Sequence, residues 1–198
     1  MKSEDLGALI VFEGIDGTGK STQVALLAEA LKSRGREVIT SREPTNGPYG
    51  KKLRASMAEG RLSPEEELAL FHDDRRDHVE HLILPALEAG KVVILDRYYF
   101  STMAYQGARG FDPLQLRQQN EEFAPVPHQV IILELPVATA LQRIGVRDGS
   151  GNAFEQEENL KACAAIFATL HDPYISRINA DQEPAAVHDE VLTKLNLP

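Results

Sequence analysis

Eight consecutive residues near the N-terminus, Gly14, Ile15, Asp16, Gly17, Thr18, Gly19, Lys20 and Ser21, complete the pattern G-x-x-x-x-G-K-[ST]. Glycines at these places let the backbone curl so that its N–H groups point inward, and a helix opened by Lys20 adds its positive end. Such a cradle suits the phosphates of ATP, lined from Gly14 to Thr22. Lys20 would reach the β- and γ-phosphates and the Ser21 hydroxyl would ligate Mg²⁺. A glycine-rich turn that binds nothing is the bland alternative. The flanks argue against it, because the apolar run "GALIVFEG" precedes the motif and the helical pattern "KSTQVALLAEALKSRG" follows it.

A second signal lies in "VVILDR", where Asp96 ends an apolar run. An acid there can hold Mg²⁺ through a water, so Ser21 and Asp96 form the expected metal pair. Arg97 follows directly, and Arg42 ends a second apolar stretch in "REVITSRE". Two guanidinium groups at strand ends would suit a second phosphate facing the first. A single arginine more commonly ends in a surface ion pair. Asp74, His78 and His81 fall at i, i+4 and i+7 on one helix face and have zinc-type side chains. No fourth ligand has matching spacing, and a solvated helix face is the simpler reading.

These groups need a scaffold. "GALIVFEG", "REVITSRE", "KVVILD", "HQVIILEL" and, more weakly, "YISRINA" read as strands. Helical patterns lie between them. Ser63 with Glu66 makes a capping box with Pro64 at the first helical position, and the helix can run from there to Gly90 with a kink near Pro85. Asp112-Pro113 opens another helix, and "PVATALQRIGVR" supplies a further one. Strands alternating with helices imply an α/β fold with a parallel sheet covered on both faces. Ligands in such folds bind at the carboxyl ends of the strands. That rule gathers "EGIDGTGKST", "SREPT" and "DRYYFS" on one rim.

The totals set limits. The 198 residues fit one domain, 1–198, and the net charge of −9 argues against a partner such as duplex nucleic acid. A small phosphorylated ligand is still compatible, since a pocket can be locally positive. One cysteine, Cys163, rules out an internal disulfide and suits a reducing compartment. The N-terminus "MKSEDLG" carries no signal pattern, and no apolar run approaches the roughly 20 residues of a membrane span. A cytoplasmic protein without membrane partners is expected. A GTPase would need a base-reading N-K-x-D, which is missing, so a small-molecule kinase is the expected class.

At this point the chain resembles a known family. "FEGIDGTGKST", "REPT", "LFHDDRRDHVEHLILPAL" and "DRYYFSTMAYQGARG" are similar to thymidylate kinases, as are "LELPVATALQRI" and "INADQEPAAVHDEV". The resemblance covers nearly the whole chain. It implies a three-layer phosphate-loop kinase fold with a five-stranded parallel sheet of order 2-3-1-4-5, a homodimer, and phosphorylation of dTMP to dTDP by ATP and Mg²⁺ for dTTP synthesis. It also implies roles. Phe71 would stack on thymine, and Arg75, one turn on, would donate to a thymine carbonyl. Thr102 and Gln106, with Ser101 beside them, would reach the base edge, and the amide of Gln106 suits an imide. Tyr105 would close the sugar side, Asp16 would accept from the 3′-hydroxyl, and Arg42 and Arg97 would hold the monophosphate. Pro44 is a candidate for a cis peptide bond that aims Arg42. Tyr98 and Tyr99 are expected to be packing.

The acceptor is a phosphate oxygen, already anionic near neutral pH, so no general base is required. Catalysis would rest on Lys20, Arg97 and an arginine closing over the γ-phosphate. In part of the family that arginine sits in the phosphate loop, where this chain has Gly17. Here Arg143 and Arg147, one helical turn apart, precede the glycine-rich stretch of an expected lid at about 143–155, with Gly149 and Gly151 as pivots. Adenine contacts are expected around Asn179 to Gln182. Two alternatives stay open: a related phosphate-loop kinase acting on a deoxynucleoside or another nucleoside monophosphate, and a non-catalytic nucleotide-binding regulator.

Overall fold

Three runs of the chain are apolar at nearly every position, and the sheet accounts for them. In a strand successive side chains point to opposite faces, so a strand buried on both sides has no polar face. In β1 (Ala8–Glu13) Leu9 and Val11 enter one core while Ala8, Ile10 and Phe12 enter another. β3 (Val92–Asp96) and β4 (Gln129–Glu134) divide their residues in the same alternating way. With β2 (Val38–Arg42) and β5 (Ile175–Asn179) they form a five-stranded parallel sheet of order β2-β3-β1-β4-β5. The computed structural model describes residues 7–60, 62–148, 153–195 and 197.

Helices cover both faces. α1 (Lys20–Ser33) and α9 (Pro184–Lys194) bury Val24, Leu27, Leu31, Val187 and Val191 in one core. The other core receives α5 (Tyr99–Gly107), α7 (Val137–Asp148) and α8 (Ala153–Ala168) through residues that include Met103, Ile144 and Phe167. α2 (Pro48–Glu59) packs on α3 (Pro64–His78), and α6 (Pro113–Glu121) packs on α5. Helices α2 and α8 lie outside the patterns read from sequence, although Gly47 and Pro48 mark a start for α2.

Local signals match their elements. Ser63 accepts from the N–H of Glu66, whose carboxylate accepts from Ser63 in return, which closes the expected capping box on α3. Ahead of Pro85, near which a kink is expected, the helix widens into a π-turn over Val79–Ile83 that leads into α4 (Leu84–Glu88). Proline has no N–H to give and its ring crowds the carbonyl four residues back, so widening the preceding turn relieves both problems. Among the described residues no helix is long and apolar enough to cross a membrane.

Parallel pairing then places the chemistry. The register sets Phe12 beside Asp96 and Asp96 beside Arg42, so the carboxyl ends of β1, β3 and β2 share one rim. Ile10 lies on the central strand with no exposed surface. Replacing it by alanine should cost about 3 kcal/mol of unfolding free energy, measured by denaturant titration. A loss below about 1 kcal/mol would mean that this strand is not the centre of the core.

Candidate active site

The loop between β1 and α1 curls back over the end of β4. Gly14 has φ 132°, and a Cβ there would sit 2.5 Å from the carbonyl oxygen of Leu133. At Gly17, φ is 83° and a Cβ would lie 2.8 Å from the Ala140 carbonyl on α7. A side chain at position 17 is therefore doubly disfavoured in this chain, by φ and by contact. The Lys20 ammonium is buried and donates to the carbonyls of Gly14 (3.1 Å) and Ile15 (2.9 Å). Burial, helped by the nearby Arg97 charge, pushes it down to about 7. Ser21 Oγ donates to the Asp96 carboxylate at the mouth of the loop. These groups line a cavity of about 270 Å³ together with Arg97 and Arg143.

Arg97 is the turning point of the site. It has φ 73°, a left-handed conformation that costs a residue with a side chain roughly 1–3 kcal/mol. Its N–H donates to the Phe12 carbonyl (2.9 Å), which ties the turn after β3 to β1. Its guanidinium donates to Asp16 (2.8 Å), Ser101 Oγ (2.9 Å) and Tyr105 Oη (3.3 Å). Tyr105 Oη in turn donates to the other oxygen of Asp16 (3.0 Å). Burial alone would raise the Asp16 carboxyl, but Arg97 and then Lys20 hold it below its ordinary value. Glu13, fully buried behind, accepts from the N–H groups of Tyr98 (2.8 Å) and Ser101 (3.1 Å) and from the Ser101 hydroxyl. It thus holds the first turn of α5 in place. Its burial is so complete that the carboxyl is pushed up to about 7 despite those donors.

Asp16 and Arg97 also belong to a second cavity, of about 250 Å³, between α3 and α5. One face of α3 supplies Glu67, Phe71 and Arg75 at four-residue intervals, so all three project the same way. Phe71 is half-buried and lines this cavity rather than the core. Arg75 is 1% exposed. It donates through Nε to Glu43 (2.8 Å) and through Nη2 to Thr102 Oγ1 (3.0 Å), while Nη1 donates to Asn120 Oδ1. Ser101, Thr102, Tyr105 and Gln106 line the opposite wall from α5. A half-buried aromatic ring sharing one cavity with several polar side chains is a lining that suits a planar heterocycle.

Other expected groups lie elsewhere. Arg42 is exposed and donates to Asn46 (3.4 Å), and it lines neither cavity. The Glu43–Pro44 peptide after it is cis. Arg54, on a helix not read from sequence, occupies the rim instead through bonds to the Pro44 carbonyl (3.1 Å) and Asn46 (3.2 Å). Arg143 donates to the Ala180 carbonyl (3.2 Å) beside the phosphate loop. The side chain of Arg147 and the glycines at 149 and 151 lie outside the described residues. Near Ala180, Asn179 Oδ1 accepts from the Asp181 N–H (2.9 Å) and Gln182 donates to the Asn179 carbonyl (2.7 Å).

The three members of the possible zinc cluster go separate ways. Asp74 accepts from Thr45 N–H (2.7 Å) and Oγ1 (2.6 Å), His78 bridges Glu43 (2.9 Å) and Ser41 (2.8 Å), and His81 faces Asp77 on the surface (3.3 Å). Among the described residues no group of three such side chains is placed to hold a metal ion. Sequence reasoning missed Glu43, Glu67 and Asn120. Of these only Glu67 carried a usable signal, four residues before Phe71 on the same helix face.

Glu43 carries an acid-labile share of stability. Burial would raise its carboxyl from the ordinary 4.5, but the Arg75 charge and the His78 contacts outweigh burial and hold it lower. A depressed folded-state value stabilises the protein above pH 4.5, and that stability is lost as pH falls through the folded value. Glu43→Gln should therefore be less stable at pH 7 and should lose stability less steeply below pH 4.5. Urea titrations at pH 7, 4.5 and 3.5 check this, and parallel profiles for the two proteins would contradict it.

Comparison with known proteins agrees with this geometry. The family model described as thymidylate kinase matches residues 12–191. A thymidylate kinase from Akkermansia muciniphila is 54% identical over 98% of this chain and 94% of its own length. One from Desulfotalea psychrophila is 47% identical over 98% of this chain and 96% of its own. A third, from Xanthomonas campestris pv. campestris, is 49% identical over 91% and 79%. A phosphate loop joined through Asp16 and Arg97 to a base-sized cavity, carried on this sheet and matched along almost the whole sequence, places the chain in the thymidylate kinase family.

Proposed function

We propose that the protein phosphorylates dTMP to dTDP with ATP, which supplies dTTP synthesis. The observation that carries the reading is the junction at Asp16 and Arg97, which belong both to the phosphate-loop cavity and to the aromatic-walled one. ATP phosphates in the loop and a monophosphate beside Arg97 would then meet across a single arginine.

Each side chain has a defined task in this reading. In the aromatic-walled cavity, Phe71 stacks on thymine, Arg75 donates to a base carbonyl, and Gln106, with Thr102 and Ser101, meets the base edge. Asp16 accepts from the 3′-hydroxyl and Tyr105 closes the sugar side. Arg97 holds the acceptor phosphate, and the exposed Arg42 would swing in to join it. The oxygen-only pair of Ser21 and Asp96, already in contact at the mouth of the loop, fits Mg²⁺. When bound, that ion neutralises charge on the β- and γ-phosphates.

An oxygen of the dTMP phosphate attacks the γ-phosphorus in line, the bond to the β-phosphate oxygen breaks, and ADP leaves. No residue removes a proton, because the attacking oxygen is already anionic. Lys20 and Arg97 hold the two phosphates and offset their mutual repulsion. In this reading Arg143, which lines the phosphate-loop cavity and bonds to the Ala180 carbonyl, closes over the γ-phosphate, or Arg147 one turn on does so. We read about 143–155 as a lid over this single domain that excludes water, from its arginines and from Gly149 and Gly151. A cytoplasmic homodimer is the form expected of the family.

ADP release with ATP and Mg²⁺ across dTMP, dUMP, UMP, CMP, AMP, thymidine and no acceptor tests the activity. Turnover with dTMP well ahead of the rest is expected. Turnover with thymidine but not dTMP would move the protein to the nucleoside kinases, and silence with ATP still bound would make it a regulator. Arg97→Ala should lose on the order of a hundredfold in kcat/KM while ATP binding stays within a few fold. Unchanged turnover would remove its proposed role. Phe71→Ala should weaken dTMP far more than ATP, and equal weakening would make it a packing residue.

A further inference from the structure

Gln106 can offer either end of its amide to the cavity, and the two ends have nearly the same shape. Which end faces a ligand is therefore an electrostatic matter. Its Nε2 donates to Glu67 Oε1 at 3.2 Å, and both residues are 1% exposed. A carboxylate only accepts, so a flipped amide would set oxygen against oxygen at that distance. Oε1 of Gln106 is left buried on the cavity wall with no hydrogen-bond partner among the described residues. Glu67 is held in turn by Arg109, whose Nη1 lies 2.7 Å from Oε2, and by its place in the first turn of α3. Glu67 Oε2 likewise has no hydrogen-bond partner among the described residues but faces the Arg109 charge, so Gln106 Oε1 is the acceptor on this wall that neither a donor nor a cation is shown to meet.

We propose that Glu67 is a positioning residue that fixes Gln106 as an acceptor, so that the cavity selects bases carrying an N3–H against those with a bare N3. Thymine and uracil present a donor at N3 beside an acceptor at O4. Cytosine presents an acceptor at N3 beside an amine. Arg75 supplies a donor and can only donate. Gln106 supplies the complementary acceptor, and Glu67 prevents it from turning to greet cytosine. This rests on the reading that the cavity holds the base of dTMP, and it adds a reason why the amide reads that base in one direction only. Discrimination is large when the wrong partner leaves a buried polar group unpaired, which is the situation here.

The test is the ratio of dCMP to dTMP dissociation constants, measured by calorimetry on wild type and Glu67→Gln, with kcat and KM for dTMP alongside. A glutamine at 67 can donate or accept, so it releases the lock while preserving volume. The ratio should fall about tenfold or more in Glu67→Gln, with KM for dTMP raised, kcat within about threefold and ATP affinity unchanged. If the unpaired Arg109 prevents folding, the charge-balanced double variant Glu67→Gln, Arg109→Gln is measured instead, with the same expectation. A ratio unchanged within twofold, with both nucleotides weakened alike, would make Glu67 a packing residue and overturn the proposal. Wild type binding dCMP as tightly as dTMP would instead overturn the base reading beneath it, and the proposal with it.

Discussion

A guanidinium that is mostly removed from water has to be surrounded by acceptors, and Arg97 meets that requirement with Asp16, Ser101 and Tyr105. The rest of the site follows from it. Asp16 comes from the phosphate loop after β1, Ser101 and Tyr105 from α5 after β3, and the arginine from the turn between β3 and α5. Each partner depends on β1 and β3 lying side by side in their observed register. The left-handed backbone at Arg97 is tolerated because its own N–H bonds to Phe12 and its side chain is held on several sides.

Buried glutamates do the corresponding work elsewhere. Glu13 fixes the first turn of α5, Glu43 steadies Arg75 and His78, and Glu67 faces Gln106 and Arg109. None of the three is a surface charge, since each is at most 5% exposed. A buried carboxylate is costly unless its lone pairs are all met, and that same demand aims its partners at fixed angles. A chain with net charge −9 thereby keeps several cations on its two cavity walls, by turning some of its acids inward against them.

Lys20 shows the same economy in the phosphate loop. Its ammonium bonds to the loop carbonyls of Gly14 and Ile15. Those contacts keep a buried charge satisfied and hold it inside the curl of the loop. The glycines that shape the loop are constrained from outside as well, because Gly14 lies against β4 and Gly17 against α7. That contact, with the positive φ at Gly17, disfavours a side chain at this place in the loop.

Much of this was legible in the amino-acid order alone. The phosphate loop is a contiguous motif, the buried strands are contiguous apolar runs, and the capping box at Ser63 is a four-residue pattern. All are local, so spacing suffices to read them. Strand alternation with helices likewise implied the parallel sheet and the shared rim. Other features depended on distant residues meeting. Asn120 reaches Arg75 across 45 positions, and Glu43 and Glu67 reach their partners across 32 and 39. No periodicity links such pairs, so only the packed structure could decide them. Packing likewise dispersed the apparent Asp74, His78 and His81 cluster, placed a π-turn ahead of Pro85 and kept Arg42 at the surface. Sequence determined which groups are present and which lie on one local face. Tertiary structure decided which of them touch, because a contact between distant residues depends on how whole elements pack.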